Sequence, residues 1–237
     1  VGRPFLTARW QDIALITYAV PRGLLESRVP AGLELDERDG QVFVSVVAFD
    51  FHNCRVMGVR WPRLVDFPEV NLRYYVREKT TGRRGVVFVR EFVQSRVIAS
   101  VARWVYNEPY DAVPMNSRVT RANGRVRIEH DLRPAGAKAA RVAVEADNES
   151  FTPADSSIDH FLKEHSWGFG TRRGRTLVYQ VQHPVWQVYR NARAEFNLEF
   201  ATVYGEEWGI LNGAAPHHVM LAVGSEVEVW RHRPLAH

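Results

Sequence analysis

The stretch Val86 to Tyr110, VVFVREFVQSRVIASVARWVYNEPY, opens as a strand and continues as a helix. From Val86 to Val93 every residue is apolar except Arg90 and Glu91. Side chains alternate across a strand, so regular alternation puts Val86, Phe88, Arg90 and Phe92 on one face. Val87, Val89, Glu91 and Val93 then share the other. Both faces are apolar apart from one charge each, which predicts a strand covered on both sides. A buried charge is costly unless it is paired or hydrogen-bonded. Two readings follow: Arg90 and Glu91 belong to a structural ion-pair network, or one of them lines a polar cavity. The first predicts a loss of about 3–5 kcal/mol when either partner is removed. Downstream, Ser95 is a suitable N-cap. Val97, Ile98, Val101, Ala102 and Val105 form an apolar stripe, with Arg103 and Asn107 on the other side, and Pro109 ends the helix.

The neighbouring sequence reads mostly as strands. Asp12–Val20 and Gln41–Phe51 are long and apolar, and Asp39-Gly40 before the second is a hairpin signal. Pro21–Pro30 reads as a short helical turn. Asn53–Pro68 is irregular, a length more typical of a binding element than of filler. Val70–Arg77 alternates, with Asn71, Arg73 and Tyr75 in a polar row that faces either solvent or the lumen of a barrel. Asn123-Gly124 marks a second hairpin. Ser156–His165 reads as an amphipathic helix with Ile158, Phe161 and Leu162 inward, and Ser166–Gly170 as a segment whose glycines permit close backbone approach or left-handed turns. Strands are expected at Thr176–His183, Val185–Arg190, Glu195–Tyr204, His217–Val223 and Glu226–Arg231, the last two joined by Gly224-Ser225. About ten strands and three short helices, without repeat or linker, predict one mostly β (α+β) domain over residues 1–237.

Composition narrows the function. The chain is 46% hydrophobic and 24% charged, ordinary for a folded protein. The formal charge is +4, but 28 of the 31 basic residues are arginines spread along the chain, without a nucleic-acid module. Nucleic acid and membrane are therefore not expected as partners. A single cysteine, Cys54, rules out an intramolecular disulfide framework and fits a cytoplasmic location. The histidines lack metal-ligand spacing, so neither a metal nor another cofactor is expected. What remains for chemistry is Glu69, Asn71, Arg73, Arg90, Glu91, Arg103, Tyr106 and Asn107. Arginine forks suit carboxylates, and a buried carboxyl with a raised pKa suits acid–base work.

Several blocks, PFLTARWQDIALITYAVP, PAGLELDERDGQVFVSVVAFDF, FPEVNLRYYVR, GVVFVREF, ARWVYNEPY, HFLKEHSWGF and VYQVQHPVW, occur in an order that resembles the YqjF-like family of unknown function. The resemblance covers nearly the whole chain. It implies an acetoacetate decarboxylase-like fold, a cone-shaped closed β-barrel with a central cavity and a few flanking short helices. Acetoacetate decarboxylases use a Schiff-base lysine preceded by an Arg-Glu pair. Arg90-Glu91 is similar to that pair, but no lysine lies between Lys79 and Lys138, and none of the three lysines is assigned the role. The expectation is a cavity for a small carboxylate or keto compound, without a lysine imine. If the protein is an enzyme, its chemistry is expected to be lyase-like: decarboxylation, aldol-type chemistry or proton transfer. Glu91 is the candidate acid/base with Arg90 beside it, and Arg73, Asn71, Glu69, Arg103, Tyr106 and Asn107 bind substrate. The alternative is a non-catalytic ligand-binding or protein-interaction module on the same fold. Homo-oligomerisation through sheet edges stays open.

Overall fold

A computed structural model describes residues 2–62, 64–100 and 108–235. Its strands are β1 (Leu6–Val20), β2 (Leu33–Leu35), β3 (Val42–Val56), β4 (Phe67–Glu78), β5 (Arg84–Val93), β6 (Tyr110–Ala112), β7 (Met115–Ala122), β8 (Arg125–Leu132), β9 (Ala140–Asp147), β10 (Ser150–Phe151), β11 (Trp167–Arg172), β12 (Arg175–Gln182), β13 (Val188–Tyr189), β14 (Arg193–Phe196), β15 (His218–Val229) and β16 (Arg233–Pro234). Short helices span Gly23–Glu26, Ile158–Lys163 and Phe200–Tyr204. No helix among the described residues is long and apolar enough to cross a membrane.

Seven strands close on themselves in the order β15-β1-β3-β4-β5-β11-β12 and back to β15. Every pairing in this ring is antiparallel except β5–β11. A separate sheet, β14-β9-β8-β7, packs against the outside. Two cores result. The outer one joins Ile16, Val44, Leu72 and Val87 to Ile128 and Val144 of the second sheet and to Phe200 and Trp208. The inner one gathers Leu15, Phe43, Val47, Phe49, Tyr75 and Val86 within the ring. Alternate residues of β1, β3, β5 and β15 therefore feed different cores, which is why these strands are largely apolar on both faces.

Several sequence expectations change. Glu195–Tyr204 is not one strand: after β14 the chain turns helical, because Phe200, Val203 and Tyr204 bury together at helical spacing. Of the two readings of Ser166–Gly170, close approach holds: from Trp167 the segment is strand β11, which needs its glycine. A Cβ at Gly168 would stand 2.1 Å from the Tyr179 ring. The last two expected strands are one, β15, in which Gly224 at φ +82° passes so close to Trp10 that a Cβ would meet its carbonyl oxygen at 2.1 Å. Val185–Arg190 shrinks to the two residues of β13. Ser95 does cap the following helical turn, its Oγ accepting from Val97 N at 3.2 Å. Ile98 and Ala99 face inward there while Val97 is exposed, against the expected stripe.

Candidate active site

The site begins with an irregularity in the β4–β5 ladder. Leu72 pairs with Arg90, but Arg73 pairs with Phe88, so Val89 is an extra residue on β5. Such a bulge re-aims the side chains beyond it. Regular alternation would put Phe88 and Glu91 on opposite faces. The bulge puts Phe88 and Glu91 on the same, lumenal face, both lining one cavity. Arg90 is turned out. Its Nη1 donates to Val203 O at 2.6 Å and its Nε lies 3.1 Å from Asp111, on a half-exposed surface. Arg90 and Glu91 thus form no buried pair with each other, and Arg90 is not part of the cavity.

The polar row of β4 faces the lumen. Glu69, Asn71 and Arg73 all line the same cavity as Glu91, a space of about 90 Å³, room for several waters or one small organic acid. Arg77, further along the row, is exposed and paired with Glu34. Asn71 Nδ2 donates to Glu69 Oε1 at 3.0 Å, and Tyr110 Oη donates to Glu69 Oε2 at 3.0 Å. The Arg73 guanidinium reaches Leu162 O at 3.5 Å and lies over the Tyr75 ring. Arg103, Tyr106 and Asn107 lie outside the described residues.

Several cavity residues were not anticipated, among them Glu108, Tyr110, Lys163 and His165. Glu108 and Tyr110 are delivered by the chain on its way into β6, which pairs in parallel with β5. Lys163 and His165 come from the Ile158–Lys163 helix and its exit, held by Ser157, whose Oγ accepts from His160 N. Lys163 follows the inward pair Phe161-Leu162, and its side chain is wholly buried with Nζ bonded to Glu164. A charged residue directly after two inward apolar ones was the available signal. No lysine was assigned a role from the sequence, yet a primary amine does reach the cavity wall, from an element far from Arg90-Glu91 in sequence. His165 Nε2 meets Asp36 at 2.9 Å, and Asp36 in turn pairs with Arg84 Nε at 2.6 Å. This fixes the imidazole and leaves Nδ1 as its other polar atom.

Electrostatics make the cavity a store of protons. Burial pushes Glu69 up to about 7 and Glu108 up to about 8. Burial, reinforced by the neighbouring Glu69 and Glu108, holds Glu91 well above the usual carboxylate range. Burial also lowers His165 to about 4, against the opposing pull of Asp36. Several carboxyls at neutral pH are therefore acids able to donate, beside a neutral imidazole and the Arg73 cation. Asn71 Oδ1, Arg73 Nε, Glu91 Oε1, Glu108 Oε1 and His165 Nδ1 are all buried without a hydrogen-bond partner among the described residues. Unsatisfied buried polar atoms are rare in folded proteins and call for an explanation.

The closed ring of strands with a second sheet outside matches the acetoacetate decarboxylase-like fold. Acetoacetate decarboxylase from Legionella pneumophila superposes with a TM-score of 0.68 at 11% identity, over 99% of this chain and 88% of that one. The enduracididine biosynthesis enzyme MppR, in its complex with pyruvate, gives a TM-score of 0.66 at 16% identity, over 100% of this chain and 92% of that one. At these identities the likeness is one of fold. The chain belongs to the DUF2071 family, described as an uncharacterized conserved protein, whose profile matches residues 7–226. The uncharacterized protein YqjF of Bacillus subtilis is 29% identical over 195 residues, 81% of this chain and 78% of that protein.

Proposed function

We propose that the ring cavity binds a small carboxylate or keto compound and moves a proton on it, with Arg73 as the anion-binding group and Glu91 as the acid/base. One observation carries this reading: five buried polar atoms without partners among the described residues, Arg73 Nε and Glu91 Oε1 included, belong to side chains lining one cavity. An arginine fork matches a carboxylate. A carboxyl held protonated by burial can donate to a carbonyl oxygen or return a proton to carbon. Glu69 and Asn71 position one another beside it. A structural relative complexed with pyruvate makes that keto acid a sensible first probe.

The test is a thermal-shift screen against small carboxylates and keto acids, including pyruvate, since a ligand of the native state raises the melting temperature. A carboxylate-specific rise is expected, lost in Arg73→Ala and kept in Arg90→Ala. No rise with any acid would overturn the reading. Binding without any product, unchanged in Glu91→Gln, would instead leave a non-catalytic binding module.

A second reading rests on Lys163. A buried amine in the wall of a cavity that also holds carboxyl acids is equipped to condense with a keto group. This would replace direct proton transfer by an imine route.

A further inference from the structure

Beside the polar cavity lies a second space of about 60 Å³. Its wall is apolar: Phe5, Phe51, Cys54, Leu64, Phe67 and Ile98 take the main part. The two spaces share Leu6, Phe51, Glu69 and Tyr110 as lining residues. Glu69 and Tyr110, joined by their 3.0 Å hydrogen bond, thus stand between the cavity that holds the acids, itself walled in part by apolar side chains, and a chamber of hydrocarbon. Cys54 does not make the second chamber reactive, since burial pushes its thiol up to about 12.

We infer that the ligand of this protein is amphiphilic: a carboxylate or keto acid whose polar end sits by Arg73 and Glu91 and whose apolar chain enters the Cys54–Leu64–Ile98 chamber. The inference rests on the proposed function and adds the class of chain the acid carries. Two observations support it besides the continuity of the lining. The polar cavity is small, so a longer acid needs the neighbouring space. The segments that wall the chamber, residues 57–62 and 64–66 with Leu64 and the helical turn 96–100 with Ile98, also carry Met57, Val59, Trp61 and Val97. These are four of the six exposed large apolar side chains among the described residues. Clustered exposed apolar groups mark places where apolar partners arrive.

The experiment is calorimetric titration of the purified chain with straight-chain 2-oxo acids, from pyruvate through 2-oxobutanoate and 2-oxohexanoate to 2-oxooctanoate. Each methylene buried contributes about 0.8 kcal/mol, so Kd should tighten about fourfold per carbon until the chamber is full. Two variants that narrow the chamber, Cys54→Leu and Leu64→Phe, should each shrink the ratio of pyruvate Kd to 2-oxohexanoate Kd. Leu64 lies on a loop, so the second variant keeps the test usable if Cys54→Leu fails to fold. Equal affinity along the series, or a gain per carbon unaltered in the folded variants, overturns the inference while leaving the cavity as a site for short acids. If no member binds, pyruvate included, the proposed function itself falls along with it.

Discussion

Lys163 and Glu91 reach the same cavity by routes that differ in what the sequence shows. Glu91 is conspicuous, a charge within an apolar strand, and its importance is legible from the cost of burying it. Its direction is not, because one extra residue at Val89 exchanges the faces of the strand. Lys163 looks like the polar rim of an amphipathic helix, yet it is fully buried. If Lys163 is a nucleophile, its Nζ bonds to the keto carbon of pyruvate, water leaves, and borohydride reduces the resulting imine to a stable amine. Wild-type protein treated with pyruvate and borohydride should then gain the mass of one reduced adduct, and Lys163→Arg should not. A wild-type mass that stays unchanged would remove the imine route and keep Lys163 as a cation of the cavity wall.

At the scale of elements, the ring depends on a seam that the sequence does not advertise. Strand β5 meets β11 in parallel through only Gly85–Trp167 and Val86–Gly168. The contact is close: a Cβ on Gly85 would lie 2.3 Å from Trp167 O and 2.6 Å from the Phe169 ring. Gly85→Ala should therefore destabilise by about 1–3 kcal/mol through overpacking, read as a lower urea midpoint. Gly23→Ala, at a helix start with nothing within 4 Å, is the control and should hold or slightly raise that midpoint. Element positions were otherwise largely legible. Asp39-Gly40 and Asn123-Gly124 form turns with φ positive at both residues, as their chemistry demands. At Ser166–Gly170, where the glycines allowed either close approach or a turn, Gly168 answers to a tertiary neighbour, Tyr179, and not to a local bend.

Over the whole molecule, enclosing several acids within a ring leaves a mark on stability. Glu69 and Glu108, raised by burial to about 7 and about 8 from an ordinary 4.5, keep their protons in the folded state where the unfolded chain has released them. Unfolding therefore releases protons, and their contribution to stability falls as pH rises from about 4.5 through those values. His165, lowered to about 4 from 6.5, acts with the opposite sign, but only below 6.5. The interval from pH 6.5 to 8 isolates the carboxyls. The melting temperature should fall across it, and Glu108→Gln should flatten the slope; a flat wild-type profile would mean that these carboxyls ionise as they do in water. Sequence by itself determined that the chain is mostly β, where most of its strands and hairpins lie, and that charge is placed among apolar residues on β5. Those follow from local periodicity and turn chemistry, which act over a few neighbouring residues. Only the tertiary structure decided that Arg90 leaves the cavity and that Glu108, Tyr110, Lys163 and His165 enter it. Which face a strand presents depends on the register of its partner, and which distant elements converge depends on how the ring closes.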